Sequence, residues 1–293
     1  MFKPSQAAHY FRAMRPHHYL KNLLVYAALA FSGKLFEFDK LLHASIGFGV
    51  FCAASSAIYI INDIRDADKD RMHPTKRYRP IASGQLPVRN AWVLATLLIA
   101  AAFAGNAIVF DPTATILLML YIGLNLMYSA GLKNLPLVDI TIVVAGFLLR
   151  VVYGAIITDI EISNWLYLTV ITLAYYLALG KRRNELAEAA EHGETRKVLQ
   201  YYTQSFLDKN MHICLGLALA FYALWCMDAK TASRYSGVQL VFTVPIVLLI
   251  TMRYSMDVEG SSDGDPVEVL VHDRPLLALC LGYFAVMFAC LYL

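Results

Sequence analysis

The chain has 293 residues, 58% hydrophobic and 16% charged, with a mean hydropathy of +0.52. Soluble domains run near half apolar and a quarter charged, so a globule of this composition would lack the polar surface to cover itself in water. That excludes the pair of soluble domains that length alone would suggest, while the formal net charge of +3 excludes nothing until its distribution is known.

An integral membrane protein is therefore predicted, and no nucleic-acid partner. Uncharged apolar runs predict nine spans: Lys21–Lys34, Leu41–Asn62, Ala91–Phe110, Thr113–Leu132, Asp139–Thr158, Trp165–Gly180, Met211–Met227, Val238–Met252 and Pro275–Leu293. Most have the roughly 17 to 25 residues that a membrane helix needs. The first is short, with twelve residues between its lysines, and the eighth carries Pro245, so tilting, kinking or interfacial placement is expected for both. Segments such as Leu240–Leu249 and Ala95–Ala102 are continuously apolar and lack the period-two alternation of a β-barrel. The fold class is all-α, a polytopic helical bundle forming one domain over residues 1–293.

Nine spans put the termini on opposite sides. Twenty Lys and Arg side chains then share the side of the N terminus, four lie on the other, and Arg150 lies inside a span. The positive-inside rule predicts a cytoplasmic N terminus, with the chain in the inner (cytoplasmic) membrane. No cleavable signal is expected, because Lys3, Arg12, Arg15 and Lys21 are spread over a polar start before any apolar run.

Where the second span ends, the chain reads Asn62-Asp63-Ile64-Arg65-Asp66-Ala67-Asp68-Lys69-Asp70. If the helix continues, Asp63, Asp66 and Asp70 fall within about 60° of one another, Asn62 borders that arc and Asp68 points the opposite way. Three carboxylates on one face repel unless a cation sits between them. Oxygen-only donors suit Mg²⁺, which takes one or two carboxylates and completes its shell with water and substrate phosphate. A solvated helix end paired through Arg65, Lys69 and Arg71 accounts for Asp68 or any single carboxylate, but not for the whole stripe. Basic residues follow at once. Pro74 and Pro80 stiffen a loop that presents Lys76, Arg77 and Arg79 for phosphate oxygens and a departing diphosphate.

Farther along, Tyr128 and Lys133 close the fourth span and read by themselves as an interfacial Tyr and a snorkelling Lys. Asp139 and Arg150 are eleven residues apart and share a helix face, which points both into one cytoplasm-facing cavity, though the rise of about 16 Å argues against direct pairing. For Arg150, function and structural ion pairing stay equally open. After the sixth span come Lys181, Arg182 and Arg183, with Glu185 and Glu188 on the face of Lys181, so an internal Lys/Glu pair is one reading. The five cysteines lie in apolar spans without metal spacing and read as small core residues, and the eight histidines show no ligand pattern. The stretch from Asp257 to Arg274 is either a mobile lid or a solvated connector.

The Asp motif and its basic loop resemble the UbiA-type intramembrane prenyltransferases, a superfamily of nine-helix proteins with cytoplasmic aspartate motifs and Mg²⁺-dependent diphosphate chemistry. Further segments resemble its decaprenyl-phosphate phosphoribosyltransferase branch: the runs Arg15–Asn22, Tyr128–Asn134 and Gly180–Leu186, Gly264-Asp265-Pro266, and Asp273-Arg274-Pro275. The resemblance implies transfer of a 5-phosphoribosyl group from phosphoribosyl diphosphate (PRPP) to a polyprenyl phosphate. It also implies that Tyr128, Lys133 and the Lys181–Arg183 run contact substrate. Prenylating members carry a second aspartate-rich motif after span six. Here the matching place is basic, which suits a donor with an extra phosphate. Arg15, Lys21 and Asn22 are candidate contacts for the lipid phosphate.

Two other readings compete. One keeps the fold and transfers a prenyl group from prenyl diphosphate to an aromatic acceptor. The other is a transporter, which would need ionisable residues deep along a path, whereas here only Arg150 is deep. Oligomeric state stays open, a homo-oligomer included, because lipid-facing and protein-facing apolar surfaces have the same composition.

Overall fold

The computed structural model describes residues 6–109, 111–192, 197–229, 231, 240–260 and 266–293. Lys3, Arg196, Lys230, Arg234, Val238 and the Gly264-Asp265 pair lie outside them. Among the described residues all regular secondary structure is helical, with no strand. Seven helices are long and apolar enough to cross a membrane: Phe38–Arg65, Val88–Val109, Pro112–Ala130, Val138–Ile157, Gln204–Met227, Leu240–Glu259 and Arg274–Tyr292. The chain is a multi-pass membrane protein.

The first and sixth expected spans are not among these seven. The first begins as a 3-10 helix, Pro16–Tyr26, followed by only four α-helical residues, Ala27–Ala30. A 3-10 helix rises about 2.0 Å per residue against 1.5 Å in an α-helix, so this short apolar stretch covers more distance than its length suggests. The sixth does not stop at Gly180: its helix runs from Asn164 through the polar Lys181–Glu188 region to His192, which dilutes its apolar character. In the eighth, Pro245 stands where the 3-10 turn Leu240–Thr243 passes into an α-helix. It lies in the first turn of Val244–Glu259, where its missing N–H costs nothing.

In chain order the α-helices are α1 (Gln6–Met14), α2 (Ala27–Ala30), α3 (Phe38–Arg65), α4 (Ala67–Met72), α5 (Val88–Val109), α6 (Pro112–Ala130), α7 (Val138–Ile157), α8 (Asn164–His192), α9 (Gln204–Met227), α10 (Val244–Glu259), α11 (Pro266–His272) and α12 (Arg274–Tyr292). The segment expected as lid or connector thus contains a helix, α11.

Two compact units organise these elements. The first comprises Met1–Leu29, Phe36–Ser129 and Leu149–Ile160. Its core gathers Phe51, Ala54, Leu118, Tyr121 and Tyr153 from α3, α6 and α7. Small residues let backbones approach closely, as expected where helices pack without a hydrophobic driving force. A Cβ on Gly154 would lie 1.9 Å from the Val25 carbonyl oxygen, so the 3-10 helix sits directly on α7 there. A second cluster, with Ile60, Ala67, Ile81, Leu86 and Ala91, closes the end of α3 that carries the Asp motif.

The second unit comprises Ala30–Leu35, Ala130–Leu148 and Glu161–Leu293. Its largest core packs α8, α9, α10 and the start of α7 through Ile140, Tyr176, Leu207, Tyr254 and Val258. A smaller cluster holds Trp225, Leu240 and Met287.

Candidate active site

The Asp motif straddles a helix break. α3 ends at Arg65, Asp66 has φ −93° and ψ 2°, and α4 begins at Ala67. The i to i−4 hydrogen bonds nevertheless carry across it: the Asp66 N–H donates to the Asn62 carbonyl at 2.9 Å and the Asp70 N–H to that of Asp66 at 2.8 Å. The stripe expected from a continuous helix is therefore largely kept. Asp63 and Asp70 are buried, Asp66 is half-buried, and the Asp68 side chain is 91% exposed.

Two arginines neutralise the inward carboxylates. Arg15 donates to Asp63 Oδ1 at 2.6 Å, and Arg79 donates to Asp63 Oδ1 at 3.2 Å and to Asp70 Oδ2 at 2.7 Å. Arg15 adopts the left-handed conformation, φ 53°, between α1 and the 3-10 helix, and its guanidinium also lies over the Tyr59 ring. A non-glycine residue in that region carries strain, held here by the surrounding contacts. Arg79 is placed by its loop: Pro80, Ile81 and Leu86 are buried, which ties the strand of chain after Arg79 to the core. Lys76 and Arg77 stand exposed on a 3-10 turn, with Arg77 bonded to and stacked on Tyr78. Asp68 pairs outward with Arg71 at 2.7 Å.

Several expected substrate contacts are engaged otherwise. Asn22 is fully buried: its amide donates to Ser55 Oγ at 3.2 Å and Cys52 Sγ at 3.3 Å, and its carbonyl accepts from Arg150 Nε at 2.8 Å. It is a tie inside the first unit and has no open face for a lipid phosphate. Lys21 is half-buried beside it, and Tyr128 is half-buried at the end of α6.

In the second unit, Arg182 is 3% exposed, donating to Asp139 Oδ2 at 2.6 Å and to Glu185. Arg183 donates to Asp208 Oδ1 at 2.7 Å and to the Val258 carbonyl at 3.2 Å. These two guanidiniums are held by the protein's own oxygens, because a buried Arg needs paired acceptors. Lys181 and Lys133 are half-buried. Asp139 and Arg150 are each buried with partners in their own unit, Asp139 with Arg182 and Tyr202, Arg150 with Asn22 and Tyr121.

Tyr202 is a partner of Asp139 from 63 positions away in the sequence. Its hydroxyl donates to Asp139 Oδ1 at 2.6 Å and accepts from the Leu137 N–H at 2.6 Å, where Leu137 has φ 66°. Burial first, then its bond to the Asp139 carboxylate, push the Tyr202 hydroxyl up to about 12. No local signal marks Tyr202, Asp208 or Tyr121 as partners, since each is remote in sequence from the group it meets.

Residues 22–254 match the UbiA prenyltransferase family. The chain belongs to that family. The match covers the Asp motif, its basic loop and the Lys181–Arg183 run.

Relatives resemble the chain along nearly all of its length. A decaprenyl-phosphate phosphoribosyltransferase of Mycolicibacterium smegmatis is 38% identical, covering 96% of this chain and 92% of its own. Proteins of the same name are 35% identical in Corynebacterium glutamicum, over 93% of this chain and 83% of that one, and 34% identical in Mycobacterium tuberculosis, over 94% and 91%. Among solved structures, a UbiA homolog from Archaeoglobus fulgidus bound to GPP and Mg²⁺ superposes with a TM-score of 0.69 at 20% identity, covering 97% of this chain and 99% of that one. At that identity the likeness concerns the fold.

The donor set suits a hard divalent ion. Asp63, Asp66 and Asp70 offer carboxylate oxygens, and Asn62 Oδ1 is buried with no hydrogen-bond partner, an orphaned acceptor beside them. Among the described residues no three carboxylates are gathered tightly enough to hold an ion by themselves. Mg²⁺ does not require that, since it usually binds through one or two carboxylates plus water and phosphate.

Proposed function

We propose that this chain is a Mg²⁺-dependent intramembrane transferase that moves the 5-phosphoribosyl group of PRPP onto a polyprenyl phosphate of the decaprenyl type and releases diphosphate. The observation that carries the reading is the buried Asp63/Asp70 pair bridged by Arg79 and topped by Arg15, a site of matched charge that can exchange one anion for another. Chain-long similarity to enzymes named decaprenyl-phosphate phosphoribosyltransferase supports the choice of donor and acceptor.

Asp63, Asp66 and Asp70 would hold the metal with Asn62 Oδ1, and bound Mg²⁺ supplies charge stabilisation for the diphosphate as it departs. Arg79 and Arg15 would turn from the carboxylates to phosphate oxygens as the carboxylates turn to the metal, keeping every charge paired. Lys76, Arg77, Lys181, Lys133 and Tyr128 are further candidate contacts. The bond from ribose C1 to the diphosphate oxygen breaks with its electron pair leaving on diphosphate, and a polyprenyl phosphate oxygen forms the new bond to C1. That phosphate is already ionised near neutral pH, so no strong base is required.

The topology that goes with this reading is nine membrane crossings in one domain, with the Asp motif in a cytoplasm-facing cavity and the N terminus in the cytoplasm. Of the basic side chains, twenty lie on that side by sequence. Purified protein with Mg²⁺ is given labelled PRPP and polyprenyl phosphate, or labelled prenyl diphosphate and an aromatic acid. Label in a lipid-soluble phosphoribosyl product is expected; label only in a prenylated ring would instead make the chain an aromatic prenyltransferase.

A further inference from the structure

We propose that Arg150 is a positioning residue for the diphosphate site: through Asn22 it fixes the Pro16–Tyr26 helix on α7, and so delivers Arg15 to Asp63. The inference rests on the reading that Asp63 belongs to the diphosphate site, and names a residue that serves it without touching substrate.

Arg150 lies within α7 and is 7% exposed. Its Nε donates to Asn22 Oδ1 at 2.8 Å and its Nη2 to the Tyr121 hydroxyl at 2.8 Å, with the guanidinium carbon 4.8 Å from the Tyr121 ring centre and 5.5 Å from that of Phe51. A permanent charge in a membrane helix is costly, and a neutral donor would satisfy one amide oxygen. What the planar fork adds is simultaneous, oriented contact with two elements, the 3-10 helix and α6, which the point charge of a Lys cannot reproduce.

The 3-10 helix needs such an anchor. It is a poorer hydrogen-bonded form than an α-helix, so its place depends on outside contacts. α7 grips it twice on successive turns: at Arg150 through the Asn22 side chain, and at Gly154, whose missing Cβ leaves room for the Val25 backbone. α3 grips it along a ladder: Asn22 on Cys52 and Ser55, Tyr19 on Ser56 at 2.9 Å, and Ser56 in turn on the Met14 carbonyl at 3.0 Å. Two turns beyond Ser56 on α3 is Asp63, and one residue past Met14 is Arg15. The placement of Asn22 therefore sets the register in which Arg15 meets Asp63.

Coupling separates positioning from generic packing. The full chain in lipid nanodiscs is titrated calorimetrically with inorganic diphosphate in the presence of Mg²⁺, as wild type, Arg15→Ala, Arg150→Lys and the double variant. Arg15→Ala and Arg150→Lys are each expected to weaken binding about 10-fold, and the double variant no further than Arg15→Ala alone, because Arg150 acts through Arg15. Losses that multiply in the double variant, or full binding by Arg150→Lys, overturn the proposal. Gly154→Ala, which displaces the same helix from its other grip, replaces Arg150→Lys with the same expectations if that variant does not fold. If the wild type binds no Mg²⁺ diphosphate, the functional reading fails, and the thermal midpoints of the four ligand-free proteins still decide: non-additive losses support the Arg150-to-Arg15 link and additive losses reject it.

Discussion

Replacing Asp63 by Asn keeps the side chain's shape and removes its charge, leaving Arg15 and Arg79 without the carboxylate they share. Asp63 is 4% exposed, while Arg15 and Arg79 are 21% and 30% exposed. Removing one partner of a fully buried pair costs about 3 to 5 kcal/mol. Here the arginines are partly solvated and Arg79 retains Asp70 at 2.7 Å, so a loss of about 2 kcal/mol is expected, in the range for a charged hydrogen bond. Asp68→Asn is the matched control. That carboxylate is 91% exposed and bonded to the outward Arg71, a surface pair worth about 0 to 1 kcal/mol. On turnover the contrast widens, because loss of one preorganised electrostatic group costs about 10² to 10³ in rate. Initial rates of phosphoribosyl transfer are measured at saturating Mg²⁺, with thermal midpoints on the same samples. Asp68→Asn losing as much activity as Asp63→Asn would refute the assignment of inward and outward faces.

Further outcomes follow from the same contacts. Arg79→Gln frees both Asp63 and Asp70 of their bridge and is expected to raise the KM for PRPP about 10-fold, the equivalent of roughly 1.4 kcal/mol, more than it lowers kcat; an unchanged KM would remove Arg79 from the donor site. Chelating Mg²⁺ is expected to stop turnover while lowering the thermal midpoint only by the modest amount that loss of a bound ion brings, because Arg15 and Arg79 already balance the buried carboxylates; loss of the cooperative unfolding transition would mean the ion is needed for folding. Tyr202→Phe removes a donor from buried Asp139 and is expected to destabilise by about 1 to 2 kcal/mol. The Tyr202 hydroxyl is pushed up to about 12, above its unfolded value near 10, so its contribution is complete below about pH 10 and is lost only as pH rises through the folded value. The gap between wild type and Tyr202→Phe in denaturant unfolding should therefore stay constant from about pH 6 to pH 9, and a gap that narrows over that range would contradict the shift.

Composition and spacing alone determined that this is a helical membrane protein, where most spans begin and end, and that Asp63 and Asp70 face away from Asp68. These are local properties: hydropathy is set by consecutive residues, and a face by the 100° step of the helix. The first and sixth spans mark the limit of that locality. Whether Pro16–Tyr26 winds as a 3-10 helix depends on the α3 and α7 surfaces that hold it, and the length of α8 on a polar stretch that hydropathy treats as a stop. Tertiary structure alone decided the partner of each charge. Arg15, Arg79, Arg150, Arg182 and Arg183 carry the same guanidinium, yet two sit on the Asp motif and three are bound elsewhere, to Asn22 and Tyr121, to Asp139, and to Asp208. Pairing across 48 positions, as between Arg15 and Asp63, is a consequence of packing, because a buried charge takes whichever oxygen the fold brings within reach.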